Sequence, residues 1–198
     1  MKPSCLFIFI SLLASSLSAQ TFRWDVKTLT DNSGIDWMQK IETAKQAHYA
    51  SIEGLTTKQI QYNSCSNQGS NTRRSDEKRV VKLRVRLIKI KKEGNDNDYH
   101  IVMQSLKDTA IYMVAEIPDP TQNVFQSSQF ADLRQLFAQL RDQAKTLLGK
   151  NVTETFKNFP GNTISKIYGV PFWDCKHPDN VKGASVDFRE IHPVLKIE

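Results

Sequence analysis

Residues 81–91 read Val-Lys-Leu-Arg-Val-Arg-Leu-Ile-Lys-Ile-Lys, and the phase of this stretch decides the fold. Val81, Leu83, Val85 and Leu87 alternate with Lys82, Arg84 and Arg86, the period-two pattern of a strand with one face on a core and one in water. The phase then slips by one residue. Ile88 and Ile90 become the apolar positions, with Lys89 and Lys91 between them. A one-residue slip of the inward face is what a β-bulge produces, and bulged, bent strands belong to small closed barrels.

Working outward, Gly94-Asn95-Asp96-Asn97 is a turn, followed by a predicted strand from about Tyr99 to Gln104 and another from about Thr109 to Ile117. Pro118 and Pro120 stop the latter. Residues 128–148 carry Phe130, Leu133, Phe137, Leu140, Ala144 and Leu147 on one helical face. Ser127 or Ser128 serves as the N-cap and Gly149 as the stop. Two more strands follow, near 163–170 and 186–197, split by a loop at 171–185. The order strand, strand, strand, helix, strand, strand predicts a mainly β fold with helices (α+β). The specific expectation is an OB-fold-like five-stranded barrel with a helix between its third and fourth strands.

Before the barrel, residues 35–52 read as a short helix with a modest apolar stripe through Ile35, Met38 and Ile41, and polar 63–76 reads as a loop. Residues 20–78 are therefore expected as an N-terminal helical extension and loop, and 79–198 as the barrel domain, together one structural unit. Residues 1–19 have the pattern of a secretory signal: Lys2, an apolar run LFIFISLLA, then small residues ending at Ala19. That run is shorter than the roughly 20 residues a membrane span needs. The expectation is a secreted or periplasmic protein with no membrane span after signal cleavage. Cys65 and Cys175 would then meet an oxidising compartment, either as a disulfide or as two thiols. No CxxC or Cys/His ligand spacing occurs, which argues against a structural zinc site.

The formal charge is +6, and it is concentrated. Residues 73–92 carry ten Lys/Arg against Asp76 and Glu77. Such a patch is the footprint of a polyanion site, for nucleic acid or an acidic glycan. Lys82, Arg84, Arg86 and Lys89 are its expected contacts, with Trp173 as a candidate stacking platform in the 171–185 loop. The segment contains no aromatic residue, which argues against stacking-based recognition. Its other reading is a solvated strand face on which lysine discourages edge pairing.

A second set of residues combines histidine with carboxylate: Asp98 and His100, Glu116, Asp174, His177, Glu190 and His192. Gathered at one rim of the barrel, His100, Glu116, Asp174, His177, Glu190 and His192 would suit a divalent metal that activates water or polarises a phosphoryl group. Without an ion, a His–carboxylate pair could act as general acid and base. The alternative is that each polar side chain satisfies a turn or a strand end. Glu190 and His192 share strand parity and so project from one face.

The stretches RWDVKTLTD near Trp24, NDYHIVMQ, MVAEIPDP and EIHPVLKI, with Gly169–Asp174 and His177, together resemble a family of small exported bacterial proteins of unassigned function. The likeness spans nearly all of residues 24–198 and implies an exported single-domain protein. It transfers no catalytic residue. Related chains carry cysteines just before the Arg-Trp pair and just after the PDP. Phe22 and Thr121-Gln122 stand there in this chain, so that disulfide is absent. These readings lead to a barrel-shaped binding module for a polyanionic ligand, or alternatively to a secreted metal-dependent hydrolase of phosphodiesterase or nuclease type. In the hydrolase, Asp174, His177 and His192 would hold the ion and Glu190 would be the base.

Overall fold

The structure, a computed structural model, describes residues 23–31, 38–39, 47–56, 73–174 and 188–198. Its frame is a sheet of β1 (His48–Ala50), β2 (Val81–Lys92), β3 (Tyr99–Gln104), β4 (Tyr112–Ile117), β5 (Lys157–Asn158), β6 (Ile164–Trp173) and β7 (Arg189–Ile197). Strand β2 pairs antiparallel with β3, β3 with β4, β4 parallel with β7, β7 antiparallel with β6, and β6 back onto β2. The ring closes. This is a closed barrel of five strands, as expected, its pairing mixed, and helix α3 (Ala131–Leu148) lies between its third and fourth strands.

The sequence phase of β2 explains the closure. Leu87 pairs with Met103 and Lys89 with Val102, so Ile88 is the extra residue of a bulge. That bulge bends β2 so that its first half pairs with β6 and its second half with β3 and β5. Val81, Leu83, Val85, Leu87, Ile90, Ile101, Met103, Met113, Ala115, Ile117, Ile167 and Ile191 are buried and form the barrel core. Phe125, Leu133, Phe137, Leu140, Ala144 and Leu148 extend that core through α3. The helix begins after a short 3₁₀ turn, where Ser127 Oγ accepts from Gln129 N–H. It ends at Gly149, whose φ of 71° is the left-handed geometry that lets its N–H reach back to Lys145 and Thr146 carbonyls.

Of the helix expected over 35–52, residues 38–39 are helical, 35–37 and 40–46 lie outside the described residues, and the end departs from it. His48–Ala50 is a strand, paired parallel with Val81–Leu83, and a separate helix α2 covers Ile52–Thr56. The weak apolar stripe of this region could not outweigh a free edge of β2 that offered backbone partners. A short helix α1 (Trp24–Thr28) comes first, with Val26 and Leu29 buried against the body. Residues 1–19, Cys65, Cys175 and His177 lie outside the described residues. Among the described residues, no helix is long and apolar enough to cross a membrane.

Candidate metal centre

Outward-facing positions of successive strands build the site. Register pairs Lys91 with His100, His100 with Glu116, Val114 with Glu190, and Glu190 with Phe172. Paired residues share a face, and alternate residues along a strand return to it. His100, Glu116, Glu190, His192 and Phe172 therefore form one row on the outside of the barrel, opposite in parity to the core positions Ile101, Ala115 and Ile191. The expected rim is thus replaced by an outer wall. It is nonetheless buried: α1 packs on β7, the 3₁₀ turn Ser75–Glu77 packs on β6, and Phe156 stands against His100.

The cover is fastened by ion pairs. Arg23 donates from both terminal nitrogens to Glu77, at 2.6 and 2.5 Å, and Glu77 also accepts from Trp173 N–H at 2.9 Å. Arg73 bonds Asp31 and the Val26 carbonyl. These contacts bring Lys27 over the wall, with Nζ 3.7 Å from Asp174, 3.6 Å from Glu190 and 5.2 Å from the Phe172 ring. Burial disfavours the Lys27 charge, but Asp174, Glu190, Glu116 and Asp96 more than reverse this and raise its pKa well above the ordinary value.

At the centre of the row, Glu116 is shared by two histidines. Its Oε1 is 2.8 Å from His100 Nδ1 and its Oε2 is 3.0 Å from His192 Nδ1. His100 Nδ1 also lies 3.1 Å from Glu93, and His192 Nδ1 lies 3.1 Å from Glu190. Burial alone would push Glu116 up. The hydrogen bonds from both histidines, the His192 charge and Lys27 hold it well below the usual carboxylate range. His192 is fully buried, which disfavours its cation, yet the neighbouring Asp98, Glu116 and Glu190 carboxylates raise it well above the normal histidine value. Two other carboxyls move the opposite way. Burial pushes Asp98 up to about 6 against the pull of His192, and burial raises Glu190 despite Lys27. Carboxyls whose pKa burial raises mark a place where negative charge is not fully offset.

Asp98 is the fixed acidic wall of this set. Its Oδ1 accepts from Asp119 N–H at 2.8 Å and from Gln122 Nε2 at 2.9 Å. Its Oδ2 faces His192 Nε2 at 3.4 Å, within ion-pair reach but outside hydrogen-bond geometry. Both atoms are buried and lack a hydrogen-bond partner among the described residues. One ligand atom each from Asp98, Glu116 and His192 can be chosen so that all lie within 4.8 Å of one another, and the same holds for Glu93, His100 and Glu116. A tetrahedral ion with ligand bonds of about 2.1 Å sets its ligand atoms about 3.4 Å apart. A histidine that ligates through one nitrogen and gives its other N–H to a carboxylate is the usual arrangement at metal sites.

The structure gathers Asp98, His100, Glu116, Asp174, Glu190 and His192 into this one row, while His177 lies outside the described residues. Asp174 belongs to the Lys27 end of the row, 3.7 Å from its amine. Trp173 is no open platform. It is 1% exposed at the end of β6, its Nε1 donates to Asp76 at 2.7 Å, and the Arg189 guanidinium stacks 3.6 Å from the ring centre. Lys27, Glu93 and Asp96 were missed by sequence reasoning. Glu93 carried a signal in its parity with Lys89 and Lys91, but Lys27 carried none, since only the tertiary packing of α1 places it.

The basic stripe keeps its expected outward face. Lys82, Arg84, Arg86 and Lys89 alternate with buried apolar residues along β2. Its aromatic partners come from neighbouring strands: Lys82 lies 4.6 Å from the Tyr49 ring and 5.0 Å from that of Tyr168, and Lys89 lies 4.3 Å from Phe156. No family model matches this chain, and neither a curated protein nor a solved structure does, so its reading rests on its own geometry.

Proposed function

We propose that this protein is an exported β-barrel that binds a divalent cation on its outer wall, with Asp98, Glu116 and His192 as the ligand groups. One observation carries the reading. Asp98 Oδ2 and His192 Nε2 are buried, face each other at 3.4 Å without a hydrogen bond, and belong to side chains whose other atoms are already held. Glu190 holds His192 through Nδ1, which leaves Nε2 for the metal, with Glu116 near enough to complete the set. A zinc-like ion accepts this mixture of imidazole and carboxylate. With an ion bound there, Glu190 would be the group placed to take a proton, since it lies beside His192 and burial raises its pKa. Hydrolysis of a phosphoester is the reaction class this arrangement serves. Compared with the sequence expectation, Asp98 and Glu116 replace Asp174 as the acidic ligands.

Isothermal titration of the metal-stripped protein with Zn²⁺ and Mn²⁺ tests the reading. One ion per chain, lost in His192→Ala and in Asp98→Asn, is expected. Unchanged binding in both variants, or no binding in the parent, would overturn it.

A second reading concerns the ligand and is favoured by Arg84. This side chain is exposed, has no acidic partner among the described residues, and stands directly opposite Lys166 across β2 and β6. Like charges facing each other cost stability, and Glu198 answers for Lys166 but not for Arg84. A polyanion on Lys82, Arg84, Arg86 and Lys89 answers that requirement. Binding of heparin or an oligonucleotide that weakens steeply with salt is the expected result.

A further inference from the structure

We propose that the open wall formed by β1, β2, β6 and β7 is a track for single-stranded nucleic acid, which names the ligand class of the polyanion reading and rests on it. The evidence is a cross-strand row that sequence order hides. Tyr49 pairs with Lys82, Lys82 with Tyr168, and Tyr168 with Lys196, so ring and cation alternate across four strands. Arg84 and Lys166 form the next row. Further along β2 come Arg86, then Lys89 and Lys91, whose amines lie 4.3 and 5.1 Å from the Phe156 ring. Aromatic surface therefore stands at both ends of a line of cations.

Tyr49 is the decisive residue. It is 79% exposed, the largest exposure of any big apolar side chain among the described residues, and one strand away from the basic line. Lysine and arginine alone would take any polyanion. A flat ring in the open adds stacking, which unpaired bases can use and the paired bases of a duplex cannot. The distance suits this. From Lys82 to Lys91 the strand runs about 30 Å at ~3.3 Å per residue, enough for a segment at the short end of the ~4–16 nucleotides such barrels hold. Among the described residues, the carboxylates on this face are already engaged: Glu198 with Lys166 and Lys196, Glu93 with Lys91, and Glu154 with Lys92. They leave Lys82 and Arg84 to phosphate. The neighbouring wall of β3, β4 and β7, by contrast, is buried.

Fluorescence anisotropy with a labelled dT₁₂ oligonucleotide tests the proposal. It is run in a chelator, so the metal site plays no part, with heparin as a parallel ligand. Binding of dT₁₂ should fall with salt at a log–log slope of about −3, as expected for four or five phosphates on a single strand. Tyr49→Ala should weaken dT₁₂ at least fivefold, the scale of one lost base stack, and change heparin less than twofold. Arg84→Glu should weaken both ligands tenfold or more. If Tyr49→Ala leaves dT₁₂ unchanged while Arg84→Glu weakens both, the wall is a general polyanion or acidic-glycan surface and the nucleic-acid proposal falls alone. If neither ligand binds the parent protein, the polyanion reading falls with it. Both residues are on the surface, so thermal melting should match the parent and keep either loss interpretable.

Discussion

Two walls of one barrel carry charge in opposite ways. On β2 and β6, Lys82, Arg84 and Lys166 stand toward water, beside rings, other cations and the chain-end carboxylate Glu198. On β3, β4 and β7, His100, Glu116, Glu190 and His192 occupy the same outward parity but are buried, where every charge must find a partner. The difference is the cover. Water screens the first wall, so its charges contribute little to stability and remain available for a ligand. Exclusion of water from the second makes its charges interdependent: burial shifts Asp98 upward, while the carboxylates around His192 overcome burial and raise it.

Breaking the covered wall should have the largest effect. Glu116→Ala removes the carboxylate shared by His100 and His192, and a buried pair that loses one partner costs about 3–5 kcal/mol. Urea denaturation should show this as a large fall in midpoint. Lys27→Met separates the wall from its cover, leaving Asp174 and Glu190 without the amine between them. About 3 kcal/mol is expected, together with faster proteolysis at residues 23–31.

The pH profile sharpens the same contrast. Asp98 has a folded pKa of about 6 against an ordinary value of 3.8, so its stabilising contribution is present below about 4 and is lost as pH rises through 6. That amounts to roughly 3 kcal/mol at about 1.4 kcal/mol per pH unit. His192, also raised, contributes fully below about 6.5 and loses its contribution as pH climbs through its folded pKa. Glu116 has the opposite sign: its lowered pKa stabilises above about 4.5 and is lost as acid protonates it. The ion-free protein should therefore be most stable at mildly acidic pH and weaken toward alkaline pH. Thermal melting in chelator across pH 3–9 checks this. A profile that rises steadily to pH 9 would contradict it.

Gly169 links the walls. A Cβ there would sit 2.2 Å from Ile191 Cγ2 and 2.6 Å from the Pro193 carbonyl oxygen, so β7, the strand that carries His192, would have to move. Gly169→Ala should cost about 2 kcal/mol and lower metal affinity as well. On the open wall, Arg84→Ala should change the midpoint by less than about 0.5 kcal/mol, the smallest effect of the set.

The barrel was legible in the sequence because the strand signal is local. The alternation from Val81 to Leu87 and its slip at Ile88 placed both the strand and its bulge, and helix 131–148 announced itself by spacing and caps. The strand at His48–Ala50 was not legible, since it exists only because β2 leaves an edge nearby. The candidate site was half legible. Histidine and carboxylate at outward parity named His100, Glu116, Glu190 and His192. Their burial, and the arrival of Lys27, depend on how α1 packs, which no period in the chain encodes. The aromatic partners of the stripe were missed for the same reason, because Tyr49, Phe156 and Tyr168 reach it from other strands.

The most direct test of the central claim is calorimetric titration of the metal-stripped protein with Zn²⁺ at pH 6, 7 and 8, for the parent and for Asp98→Asn. A metal at Asp98 and His192 must displace the proton that His192 holds, so the account predicts one ion per chain, affinity that strengthens from pH 6 to pH 8, and loss of that binding in the variant. Affinity independent of pH, or undiminished in Asp98→Asn, would contradict it and leave the covered wall as a structural ion-pair network alone.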